Sequence, residues 1–107
     1  MIHLANALSL TMFNVNTCQV NLACVGLSKE EARLLLGDNF VSCINHTSTA
    51  WLFSTELGIS IPVIQATVAL LPGDTLIVGQ YTGPHLKEGA VELPEGGQIR
   101  WFLINIY

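Results

Sequence analysis

His46 is the residue of this chain with the clearest chemical potential. It precedes three hydroxyl side chains, Thr47, Ser48 and Thr49, and lies between a short apolar segment and an apolar helical pattern. Free amides at the start of a helix attract anions and the hydroxyls add donors, so a phosphate group could bind there. A histidine beside a bound phosphodiester can give or take a proton near neutral pH. The pattern is also compatible with a plain helix start, in which the hydroxyls cap the helix and His46 is a polar surface residue.

Polar side chains also follow two predicted strands. Asn6, Ser9 and Thr11 come after the first strand, where a polar loop could meet a ligand at the strand end. Gln80 ends a later strand, and the loop after it holds His85, Lys87 and Glu88. Loops fixed by strand ends are frequent functional positions, although an Asn/Ser/Thr-rich turn explains the first group without any ligand.

Strong catalytic and metal-binding motifs are absent from the sequence. It contains no GxxxxGK[ST], GxGxxG, HExxH or GxSxG pattern, and its three histidines are far apart. We therefore expect no metal ion and no cofactor. The three cysteines lack CxxC spacing and are expected to be reduced, buried thiols of a cytoplasmic protein.

Hydrophobic patterning predicts the elements that must position these residues. It indicates a single α/β domain over residues 1–107, with a five- or six-stranded mixed sheet and two main helices. Strands are predicted at residues 2–5, 17–24, 40–44, 63–71, 75–81 and 98–107. A capping box at Ser28 and Glu31 predicts a first helix that ends at Gly37, and a second helix follows His46 and ends at Gly58.

The composition excludes several classes of protein. Half of the 107 residues are hydrophobic, only 11% are charged, and the formal net charge is −4. The apolar content excludes a disordered chain, and the negative balance argues against binding long nucleic acid on an open surface. The uncharged first 28 residues are interrupted by Asn and Gln, so we expect no membrane segment. So few charges make a buried self-association surface plausible.

Three segments together resemble the viral ring nucleases, the type III anti-CRISPR family. Residues 4–9, Leu-Ala-Asn-Ala-Leu-Ser, are similar to its opening motif. Residues 46–50, His-Thr-Ser-Thr-Ala, followed by Leu57 and Gly58, resemble its central His motif and helix. Gln80 and residues 83–89, Gly-Pro-His-Leu-Lys-Glu-Gly, resemble its third motif. The resemblance spans almost the whole chain, with matching spacing between the motifs.

The resemblance implies a small α/β homodimer that binds cyclic tetra-adenylate across its interface and cleaves it without metal. A ribose 2′-OH attacks the adjacent phosphorus and the 5′ oxygen leaves, which gives linear products with 2′,3′-cyclic phosphate ends. His46 would act as general acid, and Glu88 would assist catalysis or lock the loop. A two-fold dimer also matches a ring of four identical nucleotides.

The implied ligand contacts are Asn6, Ser9, Ser48 and Gln80, beside the further candidates Thr11, Thr49 and Lys87. Two positions depart from the family pattern, because Gln65 and His85 stand where the family commonly has Arg. Losing one charge-assisted hydrogen bond typically costs about 1.5–3 kcal/mol, so both changes should weaken phosphate binding unless Lys87 compensates.

These departures leave two alternatives open. The protein could be a sponge that sequesters a cyclic or modified nucleotide without cutting it, since a sponge needs the pocket but not the His46 chemistry. It could also be a structural or regulatory dimer without a nucleotide ligand. An exposed apolar patch and an uncharged cleft in the structure would favour this alternative.

Overall fold

The sheet of this computed structural model has five strands. They are β1 (Ile2–Ala5), β2 (Leu22–Leu27), β3 (Val41–Ser42), β4 (Thr75–Thr82) and β5 (Gln98–Ile106), arranged side by side in the order β2–β5–β4–β1–β3. β1 pairs in parallel with both β3 and β4, while β5 is antiparallel to β4 and β2. With α1 (Lys29–Leu36) and α2 (Thr47–Leu57), this confirms the predicted α/β class with a five-stranded mixed sheet. The structure describes residues 1–13, 19–64, 68–87, 89–90 and 92–107.

The two faces of the sheet are covered differently, because successive side chains of a strand point to opposite faces. On one face, Leu4, Ile77 and Trp101 pack in a core cluster with residues of α1 and α2, among them Phe53. The opposite face carries Ala5, Leu76, Val78, Ile104 and Ile106, which cluster with Leu70. The core residues of both clusters are at most 7% exposed, so the central strands are buried on both sides.

Both helices begin and end where the sequence predicts. At α1, the Ser28 hydroxyl accepts a hydrogen bond from the Glu31 amide and the Glu31 carboxylate accepts one from the Ser28 amide, each at 3.0 Å. α2 begins after His46 and ends at Gly58, which adopts the left-handed conformation at φ 69°. None of the helices within the described residues is long and apolar enough to cross a membrane.

Three predicted strands differ from the structure. The segment predicted at residues 17–24 forms a strand only from Leu22 and continues through Gly26 to Leu27, because β5 pairs with all six residues. Residues 14–18 lie outside the described part. The segment predicted at 63–71 forms no strand in its described residues, apart from one isolated bridge between Leu70 and Phe13. β3 is shortened to two residues, since only Val41 and Ser42 meet a partner in β1.

The cysteine prediction was partly wrong. Cys24 and Cys43 are free thiols, but Cys24 is exposed on β2. Cys43 is half-buried, and burial raises the pKa of its thiol. Cys18 is outside the described residues. β2 is an edge strand, so Cys24 has strand neighbours on one side only.

Candidate functional site

The three sequence segments of interest meet at one edge of the sheet. Because β1, β3 and β4 are parallel, their carboxyl ends lie at the same edge, which is where ligands of open α/β sheets bind. Asn6 directly follows β1, and His46 lies four residues beyond Ser42, the end of β3. Gln80 lies near the end of β4, where the loop of residues 83–90 begins. The topology thus brings Asn6 and Gln80 to one edge of the sheet although they are 74 positions apart in the sequence.

A cavity of about 300 Å³ lies between these strand ends and α2. Asn6, Thr49 and Gln80 line it, so each segment contributes one of the predicted ligand-binding residues. The other lining residues are Leu52, Phe53, Gly79, Tyr81 and Leu86. The wall of this cavity is about equally polar and apolar, so a small molecule could form hydrogen bonds on one part of it and pack its rings on the other.

The start of α2 beside this cavity has no side-chain cap. His46 occupies the N-cap position with extended backbone, and its side chain accepts no capping hydrogen bond. The first turn contains no acidic residue. The first-turn amides therefore retain hydrogen-bonding capacity and a positive partial charge for an anion. His46 is exposed, and among the described residues no hydrogen bond orients its ring.

The loop after β4 is attached to the start of α2. The Gly89 amide donates a 3.2 Å hydrogen bond to the Ser48 hydroxyl. At the other end of the loop, the Tyr81 hydroxyl donates to the Pro84 carbonyl. The loop is therefore bonded near β4 and at the start of α2, and Leu86 between these two contacts lines the cavity. Glu88, the second predicted catalytic residue, lies outside the described residues.

Among the remaining predicted residues, those that the structure describes do not line the cavity under α2. His85 and Lys87 line a neighbouring cavity of about 340 Å³, and Leu86 between them lines both cavities. Ser9 and Thr11 bond to each other at 2.9 Å at the start of a 3-10 turn, Leu10–Met12, and do not line the first cavity. Gln65, where the family pattern has Arg, is outside the described part of the chain.

Gln80 contributes to the cavity under α2 from the strand itself, because its side chain faces a second concave surface on the other side of the sheet. Strand alternation places its side chain on the sheet face of Leu76 and Val78, opposite the helices. There it lines a groove of about 280 Å³ with Leu8 and Phe102. We call this surface the open-face groove; its remaining lining residues are Ala7, Cys24, Val78 and Ile104.

Gly79 is a site residue that the sequence reasoning missed. A Cβ at this position would lie 2.5 Å from a ring atom of Trp101 and 2.9 Å from one of Phe53. These two aromatic rings pack edge to face with centroids 5.1 Å apart, and Phe53 forms part of the cavity wall. A glycine inside a strand signals such a close approach, so the position of Gly79 directly after the apolar run Leu76–Val78 could have indicated it.

Within the described residues, no three His, Cys, Asp or Glu side chains are grouped to hold a metal ion. The fold is a small α/β domain with a cavity at the carboxyl ends of parallel strands, and the loop after β4 contributes Leu86 to the cavity wall.

The chain belongs to the STIV B116-like family, whose sequence profile matches residues 2–97. Its structure is similar to that of B116 of Sulfolobus turreted icosahedral virus (STIV), with a TM-score of 0.74, 22% sequence identity and 97% of each chain covered. A search of the curated proteins finds no match. The similarity to B116 supports the fold, and the family name states no activity. The ring-nuclease role that the sequence implies is therefore a proposal.

Proposed function

We propose that this protein binds cyclic tetra-adenylate and linearises it without a metal ion, which would end type III CRISPR signalling in the cytoplasm of the cell. The observation that supports this most is the shared cavity, in which Asn6, Thr49 and Gln80 come from the three segments that resemble ring-nuclease motifs. The Ser48–Gly89 hydrogen bond further joins the second segment to the third.

The chemistry requires a positioned phosphate and one proton donor. The ribose 2′-OH loses its proton to water, its oxygen attacks the adjacent phosphorus and forms the 2′,3′-cyclic phosphate, and the bond from phosphorus to the 5′ oxygen breaks. His46 donates a proton to this leaving oxygen. The uncapped amides at the start of α2 and the nearby hydroxyls of Ser48 and Thr49 hold the phosphate and align the 2′-OH.

A second copy of the chain completes the ligand site in this proposal. A ring of four nucleotides is larger than the 300 Å³ cavity of one chain, so two copies related by a two-fold axis would each hold half of it. The open-face groove favours such pairing, because Leu8 and the neighbouring Leu22 are 41% and 42% exposed on the side without helices. Light scattering should therefore give a mass twice that of the 11.6 kDa chain. A monomeric mass at micromolar concentration would contradict the pairing.

Sequestration without cleavage is the second candidate. It is favoured by the exposed position of His46, whose ring no described residue holds in a fixed orientation. His85 in place of Arg also favours sequestration, because histidine lacks the permanent charge and the forked donors that Arg gives to a phosphate. A sponge of this kind uses the same cavity and loop, so the two candidates differ only in the fate of the ligand.

Incubation with a panel of cyclic oligonucleotides, with EDTA present, separates these candidates. We expect chromatography to show linear products with 2′,3′-cyclic phosphate ends from cyclic tetra-adenylate, and none with His46→Ala. Tight binding with intact ligand recovered after heat denaturation would instead establish the sponge. If the protein binds no member of the panel, both the cleavage and the sequestration candidates are excluded, and a structural or regulatory dimer remains.

A further inference from the structure

The chain has four Lys and Arg side chains, and two of them form contacts within the fold. The Lys29 ammonium pairs with the Glu56 carboxylate at 3.8 Å. The Arg33 Nε donates a 2.9 Å hydrogen bond to the Leu57 carbonyl at the end of α2. Lys87 and Arg100 remain, and neither forms a salt bridge with an acidic residue of the described segments.

Arg100 lies beside a residue of the candidate site. In the antiparallel pairing of β4 with β5, Arg100 is directly opposite Gln80. Side chains of such cross-strand partners project from the same face, with their Cβ atoms about 5 Å apart. Gln80 lines both the cavity under α2 and the open-face groove. The register of the sheet therefore places a basic side chain, that of Arg100, next to Gln80.

The guanidinium of Arg100 is held by the sheet. It lies over the Phe102 ring, 5.4 Å from the ring centroid, and Phe102 itself lines the open-face groove. Stacking on an aromatic ring occupies the flat face of a guanidinium and leaves the N–H groups at its edge available. Such a stacked fork is suited to two parallel hydrogen bonds with a phosphate.

We propose that Arg100 is a phosphate-binding residue of the ligand site and supplies, from β5, a charge that Gln65 and His85 do not. A phosphodiester of the ligand lies across Gln80 and Arg100 on the open face of the sheet, with the guanidinium held in place by Phe102. This inference rests on the proposed function, because it names a further contact to the same cyclic oligonucleotide.

The test compares Arg100→Gln with Arg33→Gln, which removes the same charge from an exposed side chain of α1 that donates to the Leu57 carbonyl. Both side chains lie at the surface, and circular dichroism checks that both variants are folded. The probe is cyclic tetra-adenylate in the His46→Ala background, so that the ligand remains intact. Arg100→Gln should raise the Kd by about 10- to 100-fold and reduce the slope of its salt dependence, whereas Arg33→Gln should change the Kd less than about two-fold.

Arg100→Lys distinguishes a forked contact from a simple charge. It keeps the charge but loses the planar fork and its stacking on Phe102, so the Kd should rise by an intermediate factor of about 3 to 10.

The outcomes separate this inference from the proposed function. An unchanged Kd for Arg100→Gln, or equal losses of affinity for Arg100→Gln and Arg33→Gln, would overturn the role of Arg100 while leaving the proposed function intact. If His46→Ala itself binds no cyclic oligonucleotide although it is folded, both the proposed function and the role of Arg100 are wrong.

Discussion

The two helices of this protein begin in opposite ways. At α1, Ser28 and Glu31 satisfy each other's amides, and the Glu31 carboxylate places a negative charge at the positive end of the helix. At α2, His46 occupies the N-cap without a capping hydrogen bond, and no acidic residue lies in the first turn. Both helices start near the sheet, but only α2 starts beside the cavity shared by Asn6, Thr49 and Gln80.

This difference separates a structural helix start from one available to a ligand. A capping box satisfies two amides of the helix start from within the chain and places a carboxylate there, so α1 gains stability and disfavours an anion. The start of α2 lacks that stabilisation. Its first-turn amides lie beside the cavity that the three polar segments line. Natural proteins depart from local stability rules mainly at functional sites, and the start of α2 is such a departure. Substitutions at the two helix starts should therefore have opposite effects on stability and activity.

The largest expected effect is the loss of cleavage in His46→Ala. Removal of a general acid typically lowers the rate by about 10²- to 10⁴-fold. Stability should change little, because the imidazole makes no capping hydrogen bond. The rate of linear-product formation and the Tm measure the two effects. A large fall in Tm with cleavage retained would show that His46 is a structural residue.

The next effect is a weakening of ligand binding in Ser48→Ala. This variant removes the acceptor of the Gly89 amide and detaches the loop from α2, so the Kd should rise by about 5- to 10-fold, as expected for one hydrogen bond. Thr55→Ala is the matched control on the same helix, because the Thr55 hydroxyl donates only to the Trp51 carbonyl. Equal Kd values for the two variants would mean that the loop contact does not matter for binding.

Ser28→Ala should show the reverse pattern. Loss of this N-cap should destabilise the protein by about 1 kcal/mol and lower the Tm by about 4–8 °C. Cleavage measured well below the Tm should stay within about two-fold of the unsubstituted protein, because α1 starts away from the cavity. A specific loss of cleavage at unchanged Tm would remove the distinction between the two helix starts.

The smallest effect is the pH dependence of stability in Glu31→Gln. Hydrogen bonds from the Ser28 amide and hydroxyl hold the pKa of the Glu31 carboxyl below its ordinary value. A lowered pKa adds stability that is present above the unfolded-state pKa and is lost as the pH falls through the folded-state pKa. The Tm of Glu31→Gln should therefore lie slightly below that of the unsubstituted protein at pH 7, and the two should converge at acidic pH. A Tm difference independent of pH would contradict this origin.

Local patterns in the sequence predicted those elements whose signals are contained within a few residues. The capping box at Ser28, the glycine stops at Gly37 and Gly58, and the long apolar strand at the C-terminus all depend on neighbours in the chain. The segment at 63–71 shows where such reasoning fails. Its apolar residues look like a strand, but Val63 and Leu70 are packed against the two core clusters without a neighbouring strand to pair with.

The site could be predicted only in part for the same reason. Asn6, Thr49 and Gln80 were candidates because they follow, begin and end a predicted element, respectively. Parallel pairing of β1 with β4 then brings Asn6 and Gln80 to the cavity that Thr49 of α2 also lines. The contribution of Arg100 depends on the register between β4 and β5, which no local pattern reveals. Gly79 is similar, since its role depends on the rings of Trp101 and Phe53 from distant parts of the chain.

The most direct measurement is a titration of isotope-labelled His46→Ala protein with cyclic tetra-adenylate, followed by amide resonances in NMR spectra. The account predicts large shifts for the first-turn amides of α2, Thr47, Ser48 and Thr49, and for Gln80. It predicts no change for the first-turn amides of α1, Lys29, Glu30 and Glu31. Shifts confined to α1, equal shifts at both helix starts, or no shifts at saturating ligand would contradict it.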